Sequence, residues 1–465
     1  MARYHLESAY LRQGWVEDVV VDVSAQGFIT AVFAAADAPA TPATPAVERI
    51  HGFVVPGISN AHSHAFQRAM AGKTEHRQSE RDSFWTWRNA MYALANRIDP
   101  AELQVLATQL FVEMLKSGYT SVSEFHYLHR RRDGGAFAGA NELWEAIVAA
   151  ASTAGIGLTL LPTLYQTSDF GGRPLKPEQR RFHLDTETFL RAIEERIGAE
   201  RRGAPATART GAAFHSLRAV PLETLREAAL RLRAIDPAMP VHIHVAEQAL
   251  EVEACVASTG RRPIELLLDT GLLDGHWCLV HATHATPAEL DGVAASGASV
   301  CVSVSTEANL GDGFFDAARF LYAGGRLCVG SDSQATVNPA EELRWLEYQQ
   351  RLQQQRRGVL AAAAEPHVGT RLWCDAARQG AQAIGQPAGT IAPGQRADWL
   401  VLDAGHATLA GAAADDVFDH LIFAGADAAI RDVMVAGRWV VKDRHHAAEE
   451  GAAARFGALM RKLGV

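Results

Sequence analysis

The sequence predicts an α/β protein, built as a (β/α)8 TIM-like barrel with a small β-sandwich domain formed by both termini. Between residues 56 and 388, short apolar runs alternate with amphipathic helical stretches. Outside these limits the pattern is one of short strands separated by turns. We therefore assign 1–55 and 389–465 to one discontinuous β domain, and 56–388 to the barrel.

The two ends of the chain carry strand-like runs without the intervening helices of the middle. Near the N terminus these runs are 19–23 and 28–33, and an Ala/Pro/Thr-rich stretch at 34–46 is interpreted as a loop. Similar runs return near the C terminus at 398–402, 432–435 and 438–441. Since both ends have the pattern of short strands, we expect them to form one small β domain together.

Apolar runs of barrel-strand length occur eight times in the middle of the chain: 53–58, 119–125, 157–164, 211–215, 241–245, 277–281, 298–304 and 327–330. Helical stretches lie between them, including 100–116, 221–234 and 286–295. A doubly wound open sheet would show the same alternation. The position of the polar residues, described below, decides between the two.

Composition excludes several classes of partner. The chain has 465 residues, with 44 Lys+Arg against 53 Asp+Glu and a formal net charge of -9, so nothing favours nucleic acid or an anionic membrane. No run approaches the roughly 18 apolar residues of a membrane span, and charged residues interrupt the start where a signal peptide would be apolar. We expect a cytoplasmic protein that binds small molecules.

The cysteines do not form a motif. There are five, scattered and without a Cys-x-x-Cys pair: Cys255, Cys278, Cys301, Cys328 and Cys374. This pattern is typical neither of a disulfide framework nor of a thiolate zinc site, and we interpret them as small buried side chains.

Histidines and one aspartate follow the predicted strands. His62 and His64 come just after the first apolar run, and at i and i+2 in extended chain they project to one side. His244, His281 and Asp332 stand at the carboxyl ends of the fifth, sixth and eighth runs. In a closed barrel such ends surround one mouth, whereas in an open sheet the first and eighth strands lie far apart. The polar residues therefore favour a barrel.

This donor set predicts a single metal ion. Three imidazoles from His62, His64 and His244 with the Asp332 carboxylate suit Zn²⁺ or Fe²⁺ and leave a position for water. His242 is deeper on its strand, and we interpret it as a core histidine. Two-metal enzymes of this architecture use a lysine at the end of a middle strand, and no lysine of this chain falls there: Lys73, Lys116, Lys176, Lys442 and Lys462.

These residues, together with Glu247, resemble the metal-site residues of the amidohydrolase superfamily, and specifically those of its mononuclear deaminase branch. Four longer strings are similar to the formimidoylglutamate deiminases of histidine degradation: NAHSHAFQRAMAG at 60–72, FHSLRAV at 214–220, VHIHVAEQ at 241–248 and EYQQRL at 347–352. The resemblance covers nearly the whole chain. It implies hydrolysis of N-formimidoyl-L-glutamate to N-formyl-L-glutamate and ammonia, with one Zn²⁺ per subunit in a homodimer.

The resemblance also implies a role for each site residue. It places the metal on His62, His64, His244 and Asp332, and proton transfer on Glu247 and His281. For the mechanism, our own hypothesis is that Asp332 accepts the proton of the attacking water, Glu247 protonates the imino nitrogen and then the departing amine, and His281 orients the water and supports the tetrahedral intermediate. Substrate binding falls on five residues: Gln67, Arg88, Tyr127, His215 and Arg218.

The residues expected to bind substrate agree with a small-molecule dicarboxylate. Arginine suits carboxylates because its planar fork donates two parallel hydrogen bonds, and Arg88 and Arg218 both lie on the predicted rim. We interpret Trp85 and Trp87, near Arg88, as core residues, with packing in a lid as the alternative. A net charge of -9 does not oppose an anionic substrate, since two arginines and a metal make the mouth locally positive.

Two rival functions remain open from the sequence. The first is deamination of a heterocycle, such as guanine, cytosine or an adenosine derivative, on the same metal set. Such a pocket faces a neutral flat ring and would favour aromatic and amide groups over two arginines. The second is a non-catalytic relative kept for binding, which predicts a broken metal set.

Overall fold

The computed structural model describes residues 2–39, 47–76, 84–137, 142–203, 205 and 207–464. The fold class predicted from the sequence is confirmed: a barrel of parallel strands carries the middle of the chain, and a separate sheet joins its two ends. None of the described helices has the length and apolar character needed to span a bilayer.

The chain begins with four strands of the small sheet: β1 Ala2–Leu11, β2 Gly14–Val23, β3 Ile29–Ala34 and β4 Glu48–Pro56. The first three form an antiparallel meander, and β4 pairs in parallel with β1. A short 3-10 turn at Ala35–Asp37 begins the loop predicted at 34–46, and residues 40–46 of that loop lie outside the described residues.

The barrel follows as parallel strands: β5 Ile58–Ser63, β6 Tyr119–His126, β7 Gly157–Leu164, β8 Ala208–Thr210, β9 Ala212–Phe214, β10 Val241–Val245, β11 Trp277–His281, β12 Ser299–Val302 and β13 Arg326–Val329. Their order is β5-β6-β7-β9-β10-β11-β12-β13, with β8 beside β7. A bridge between Ser63 and Asp332 joins the first strand to the segment after the last. The sheet is therefore closed at its carboxyl end.

The prediction that 53–58 forms the first barrel strand is wrong. Most of that run belongs to β4 of the small sheet, and the barrel begins one strand later, at β5. The change of sheet occurs at Pro56-Gly57. A side chain at Gly57 would collide with Thr120, since a Cβ there would lie 2.2 Å from Thr120 Cγ2. The glycine thus lets the chain pass close to β6 as it enters the barrel.

Helices cover the outside of the barrel: α1 Phe84–Ala95, α2 Pro100–Ser117, α3 Glu142–Ala154, α4 Thr186–Arg201, α5 Leu222–Ile235, α6 Ala249–Thr259, α7 Pro263–Asp269, α8 Pro287–Ser296, α9 Val304–Leu310, α10 Ala317–Tyr322, α11 Pro339–Gln354 and α12 Val368–Ala383. Short 3-10 segments lie at Ala65–Met70 and Pro177–Gln179.

Helix α2 shows why the sequence predicts these elements well. Asp99 caps its N terminus by accepting from Glu102 N, and the Glu102 carboxylate accepts from Asp99 N in return. The helix ends at Gly118, whose φ of 110° is open to glycine. Both signals are local, and the helix predicted at 100–116 is accordingly confirmed.

The chain returns to the small sheet through β14 Trp399–Leu402, α13 Val417–Phe423, β15 Ile430–Val435, β16 Arg438–Lys442, β17 His445–His446 and α14 Glu449–Leu463. The 3-10 segments here are Ala407–Leu409, Ala414–Asp416 and Ala426–Ala429. The eight strands follow one path, β17-β16-β15-β14-β4-β1-β2-β3. The path curls on itself, because Tyr4 of β1 packs edge-on against Trp399 and Trp439 of β14 and β16.

Candidate active site

Four side chains from three places on the barrel converge at its carboxyl end. The Nε2 atoms of His62 and His244 lie 3.0 Å apart, and Asp332 Oδ1 lies 3.3 Å from His62 Nε2 and 3.4 Å from His64 Nε2. Ligand atoms about 2.0–2.1 Å from a tetrahedral ion lie about 3.3–3.4 Å from one another. These side chains therefore have the spacing of a metal ligand set. Two groups that share His62 could hold an ion: His62, His64 and Asp332, and His62, His244 and His281.

The outer ring nitrogens fix which atom faces the centre. His64 Nδ1 donates to the Phe125 carbonyl at 2.8 Å, and His244 Nδ1 donates to the His215 carbonyl at 2.8 Å. With Nδ1 carrying the proton, each Nε2 presents a lone pair inward, as metal-bound histidines do. Burial lowers the pKa of His62 to about 3 and also lowers the pKa of His64 and His244, so these rings are neutral.

The chemistry of the donor set fits a cation. His244 Nε2, whose lone pair faces the centre, lies 3.0 Å from His62 Nε2, while His62 Nδ1 is buried without a partner in the described part of the chain. A positive ion between the two Nε2 atoms would accept a lone pair from each. The neighbouring carboxylate of Asp332 supplies a negative charge, and the His62 contacts that favour its ionised form outweigh burial and lower its pKa.

The backbone is strained where these side chains leave the barrel. Ala246, His281 and Asp332 all have positive φ, at 50°, 71° and 45°. Non-glycine residues adopt this region only when surrounding contacts hold them there, and such residues cluster at functional sites. At Asp332 the holding contact is visible: its N–H donates to the His62 carbonyl at 3.0 Å.

His281 and Glu247 stand beside the four convergent side chains. His281 Nε2 lies 3.7 Å from Glu247 Oε1 and 3.8 Å from Asp332 Oδ2, and its Nδ1 donates to Glu307 Oε1 at 3.2 Å. Burial alone would lower the pKa of His281, but the carboxylates of Glu247, Glu307 and Asp332 outweigh it and raise the pKa to about 10. Burial raises the pKa of Glu247 to about 7, against the opposing charge of His281. A carboxyl with a pKa near neutrality can both give and take a proton.

Three buried glutamates that the sequence analysis missed hold this arrangement. Glu251 accepts from the backbone N–H groups of Ala246 and Glu247, at 3.3 and 3.1 Å. Glu307 accepts from His281 and from Ser303 N.

The third of them, Glu124, accepts hydrogen bonds from the two residues on either side of His64. It accepts from Ser63 Oγ at 2.8 Å and Ala65 N at 2.7 Å. One signal was present in the sequence, since Glu124 is a charged residue inside the apolar run 119–125.

The other histidines of these segments lie outside the convergent set. His242 is buried beneath it and donates its Nε2–H to the Ala383 carbonyl at 2.9 Å, as a core histidine would. His284 lies in the loop after β11, where its backbone N–H donates to the Ala246 carbonyl.

A pocket opens above these groups. Its lining includes all five residues expected to bind substrate: Gln67, Arg88, Tyr127, His215 and Arg218. Gln67 Nε2 donates to Tyr127 Oη at 2.9 Å, while its Oε1 is buried without a partner in the described part of the chain. The His215 ring lies 5.0 Å from that of His244 and 5.5 Å from that of Tyr127.

The two arginines of the pocket form no ion pair with a described carboxylate. Among the described residues neither the Arg88 nor the Arg218 guanidinium has a hydrogen-bond partner, and the Nε atoms of both are buried. Burial lowers the pKa of Arg88, and the nearby charge of Arg218 lowers it further. Both lie over the ring of Trp85, with Arg88 Cζ 4.2 Å and Arg218 Cζ 5.9 Å from its centroid.

The interpretation as a core residue is wrong for Trp85, whereas Trp87 packs against the edge of the core. Both are only half-buried. Trp87 lines the pocket, and Trp85 stacks on Arg88. Their place on α1, above the mouth of the barrel, corresponds to the alternative interpretation of packing over the mouth.

The chain belongs to the amidohydrolase family, whose model matches residues 53–440. It is therefore a hydrolase, and its fold and convergent histidines are those expected of that class.

Individual relatives narrow this class. The chain is 48% identical over 463 residues to the formimidoylglutamate deiminase of Pseudomonas aeruginosa, covering 100% of both chains. Among solved structures, it is similar to an amidohydrolase from Brucella melitensis, with a TM-score of 0.91, 41% identity and 100% of both chains covered. An adenosine deaminase from Xanthomonas campestris with bound zinc shares the fold, with a TM-score of 0.79, 22% identity, and 99% and 98% coverage.

Proposed function

We propose that the protein hydrolyses N-formimidoyl-L-glutamate to N-formyl-L-glutamate and ammonia. The observation that carries this proposal is the pair of unpartnered guanidiniums, Arg88 and Arg218, in the same pocket as a three-histidine, one-aspartate cluster. Two fixed cations suit a substrate with two carboxylates, and the cluster suits attack of water on a carbon–nitrogen bond. The curated relative at 48% identity carries the name of this activity.

The metal in this proposal is one Zn²⁺ per subunit, held by His62, His64, His244 and Asp332. Zinc accepts neutral imidazole and carboxylate ligands, and the Nε2 and Oδ1 atoms of these residues face one another. When bound, the ion supplies a Lewis acid that lowers the pKa of its water to about 7. Fe²⁺ accepts the same ligands, so the metal content of the purified protein distinguishes the two.

Protons are moved by three groups around this centre. Asp332 takes the proton of the attacking water on Oδ2, the oxygen directed towards His281. Glu247 protonates the formimidoyl nitrogen during the attack and again as it leaves as ammonia, so that both protons of the water end on that nitrogen. Its raised pKa suits a group that takes and gives protons in one cycle. His281, charged and fixed by Glu307, stabilises negative charge that develops during the attack.

The remaining pocket residues hold the glutamate portion. Arg88 and Arg218 bind its carboxylates by donating hydrogen bonds from their guanidinium N–H groups. Gln67, Tyr127 and His215 form the wall between these arginines and the metal ligands. Because Gln67 Oε1 is buried without a described partner, it is available to accept from the amidine N–H of the substrate.

Deamination of a heterocycle is the alternative function on the same ligand set. A neutral ring leaves both guanidiniums without a partner in a largely buried pocket, which is energetically costly. Deaminases of adenosine derivatives occur among the more distant relatives, at 26–29% identity. The arginine pair favours the dicarboxylate over these substrates.

The test is ammonia release by zinc-replete protein from N-formimidoyl-L-glutamate, with guanine, cytosine and adenosine as comparison substrates. We expect release from the amidine only, loss of activity after chelation, and recovery on addition of zinc. Release from guanine with none from the amidine would contradict the proposal.

We further propose that the protein acts in the cytoplasm as a homodimer. A small anionic substrate and the absence of a membrane-spanning helix among the described residues are consistent with this. Light scattering on the purified protein and fractionation of the source cells test the two statements separately.

A further inference from the structure

Arg88 lies in a cage of aromatic side chains on its own helix. Its Cζ is 4.2 Å from the ring centroid of Trp85, 5.5 Å from that of Tyr92 and 6.0 Å from that of Phe84. Guanidiniums stack favourably on aromatic faces within about 6 Å. The cage thus stabilises the cation, although no described carboxylate contacts it.

An aromatic cage has an advantage over a carboxylate at a substrate site. A carboxylate would hold the guanidinium by its N–H groups, the donors that a substrate carboxylate needs. A ring contacts the flat face and leaves the N–H groups in the guanidinium plane free. Arg88 can therefore be fixed in place and still present its donors to the pocket, which it lines.

Trp85 also faces the second cation. Arg218 Cζ lies 5.9 Å from the Trp85 centroid, so both guanidiniums lie over the same indole. The two guanidiniums repel each other, with Glu251 and Glu247 as the nearby negative charges on the side of Arg218. An indole that both guanidiniums contact can restrain their separation. Trp85 itself is not among the described side chains that line the pocket. It contacts both arginines and the ring of Phe84, whose centroid lies 5.1 Å away and which lines the pocket.

We propose that Trp85 is a positioning residue that fixes the spacing of Arg88 and Arg218 and so makes the pocket selective for dicarboxylates over monocarboxylates. This inference rests on the proposed function, since it assumes that the two arginines bind the two carboxylates of the substrate. It predicts that loss of the indole weakens dicarboxylate binding and leaves the chemical step intact.

Binding is tested first, without turnover, by titration calorimetry with glutarate on the zinc-loaded protein. We expect Trp85→Leu to raise the Kd for glutarate about tenfold, and Trp85→Phe, which keeps an aromatic face, to stay within about threefold of the wild type. Trp345→Leu, at an exposed tryptophan on α11, is the matched control and should bind like the wild type. Equal affinities for all four proteins would overturn the inference.

Kinetics then separate positioning from general damage to the fold. With N-formimidoyl-L-glutamate, Trp85→Leu should raise KM about tenfold with kcat within about threefold, and Trp85→Phe should restore KM. With N-formimidoyl-4-aminobutyrate, which lacks one carboxylate, kcat/KM should change little. A fall in kcat alone, equal losses on both substrates, or no rescue by phenylalanine would contradict the assignment.

The two proposals fail in different ways. If the wild type binds glutarate and the tryptophan variants behave as expected, but no ammonia is released from the amidine, the proposed function is wrong and the role of Trp85 stands. If the amidine is hydrolysed but Trp85→Leu keeps the wild-type Kd and KM, the role of Trp85 is wrong and the function stands.

Discussion

The metal-ligand side of the pocket and the arginine side are built by different means. On the metal-ligand side nearly every ring nitrogen that faces outward is tied by a hydrogen bond, as in His64 to Phe125, His244 to His215 and His281 to Glu307. On the arginine side, Arg88 and Arg218 have no described hydrogen-bond partner and contact aromatic rings instead.

The difference follows from the geometry of the two functional groups. An imidazole has two nitrogens, so one can be fixed by the protein while the other binds a ligand. A guanidinium uses all its polar atoms as donors in one plane, and any that the protein takes are lost to the substrate. Metal-side variants should therefore change kcat or metal affinity, whereas arginine-side variants should change KM.

The largest effect is expected for Glu247→Gln. The amide cannot carry a proton to the leaving nitrogen, so kcat should fall by at least about a thousandfold, with zinc content unchanged because Glu247 is not among the proposed ligands. Ammonia release and metal analysis on the same sample measure both. Glu253→Gln, at an exposed residue on α6, is the control. Activity above a few per cent of wild type would exclude Glu247 as the proton carrier.

Arg218→Met should follow in size and act on the other kinetic constant. It removes a pair of charge-assisted hydrogen bonds to a carboxylate, and we expect kcat/KM to fall about 100- to 1000-fold, mainly through KM. Arg226→Met, at a half-exposed arginine on α5, should have no effect. A variant with normal KM and reduced kcat would place Arg218 in the chemical step and break the comparison.

Glu307→Gln tests the hydrogen bond that supports His281. Loss of the Glu307 carboxylate charge, which lies against Nδ1 of His281, should lower kcat about 10- to 100-fold while the zinc content stays unchanged. Glu342→Gln is a matched control, because Glu342 is equally buried and holds the same helix through Ser305 without contacting His281. Loss of zinc from Glu307→Gln would show that His281 is itself a ligand.

The smallest effect is expected for Glu124→Gln. This variant tests the carboxyl group that accepts hydrogen bonds from the residues on either side of His64. The amide keeps one acceptor for the two donors, Ser63 Oγ and Ala65 N, so zinc affinity should fall about tenfold and kcat at saturating zinc should not change. Competition with a chelator measures the affinity. An unchanged affinity would mean that the strand alone orients His64.

The sequence predicted those parts of the molecule whose signals are local. Helix α2 has its capping residues, and His244 and Asp332 stand directly after apolar runs. The first barrel strand was misassigned because 53–58 is equally apolar on both sides of Pro56-Gly57, and only packing against β6 shows where the sheet changes.

Contacts between distant segments explain the rest of what the sequence did not show. Glu307 is 26 residues from His281, and Glu124 is 59 from Ala65, so neither pairing has a spacing that a single sequence reveals. Trp85 could be recognised as large and apolar, but not as a partner of arginine, because Arg218 reaches it from the distant segment between β9 and α5.

The closure of the barrel has a consequence for how the chain matures. Asn60 donates to Ser331 across 271 residues, next to the bridge that joins Ser63 to Asp332. At a synthesis rate of about 5–20 residues per second, roughly 15–50 seconds pass between the synthesis of the first two histidines and that of Asp332, which completes the proposed ligand set. A nascent chain therefore offers an incomplete chelator until its last barrel strand is in place. At the proposed site, metal would therefore bind late, and zinc bound then would link the first and last strands of a newly closed barrel.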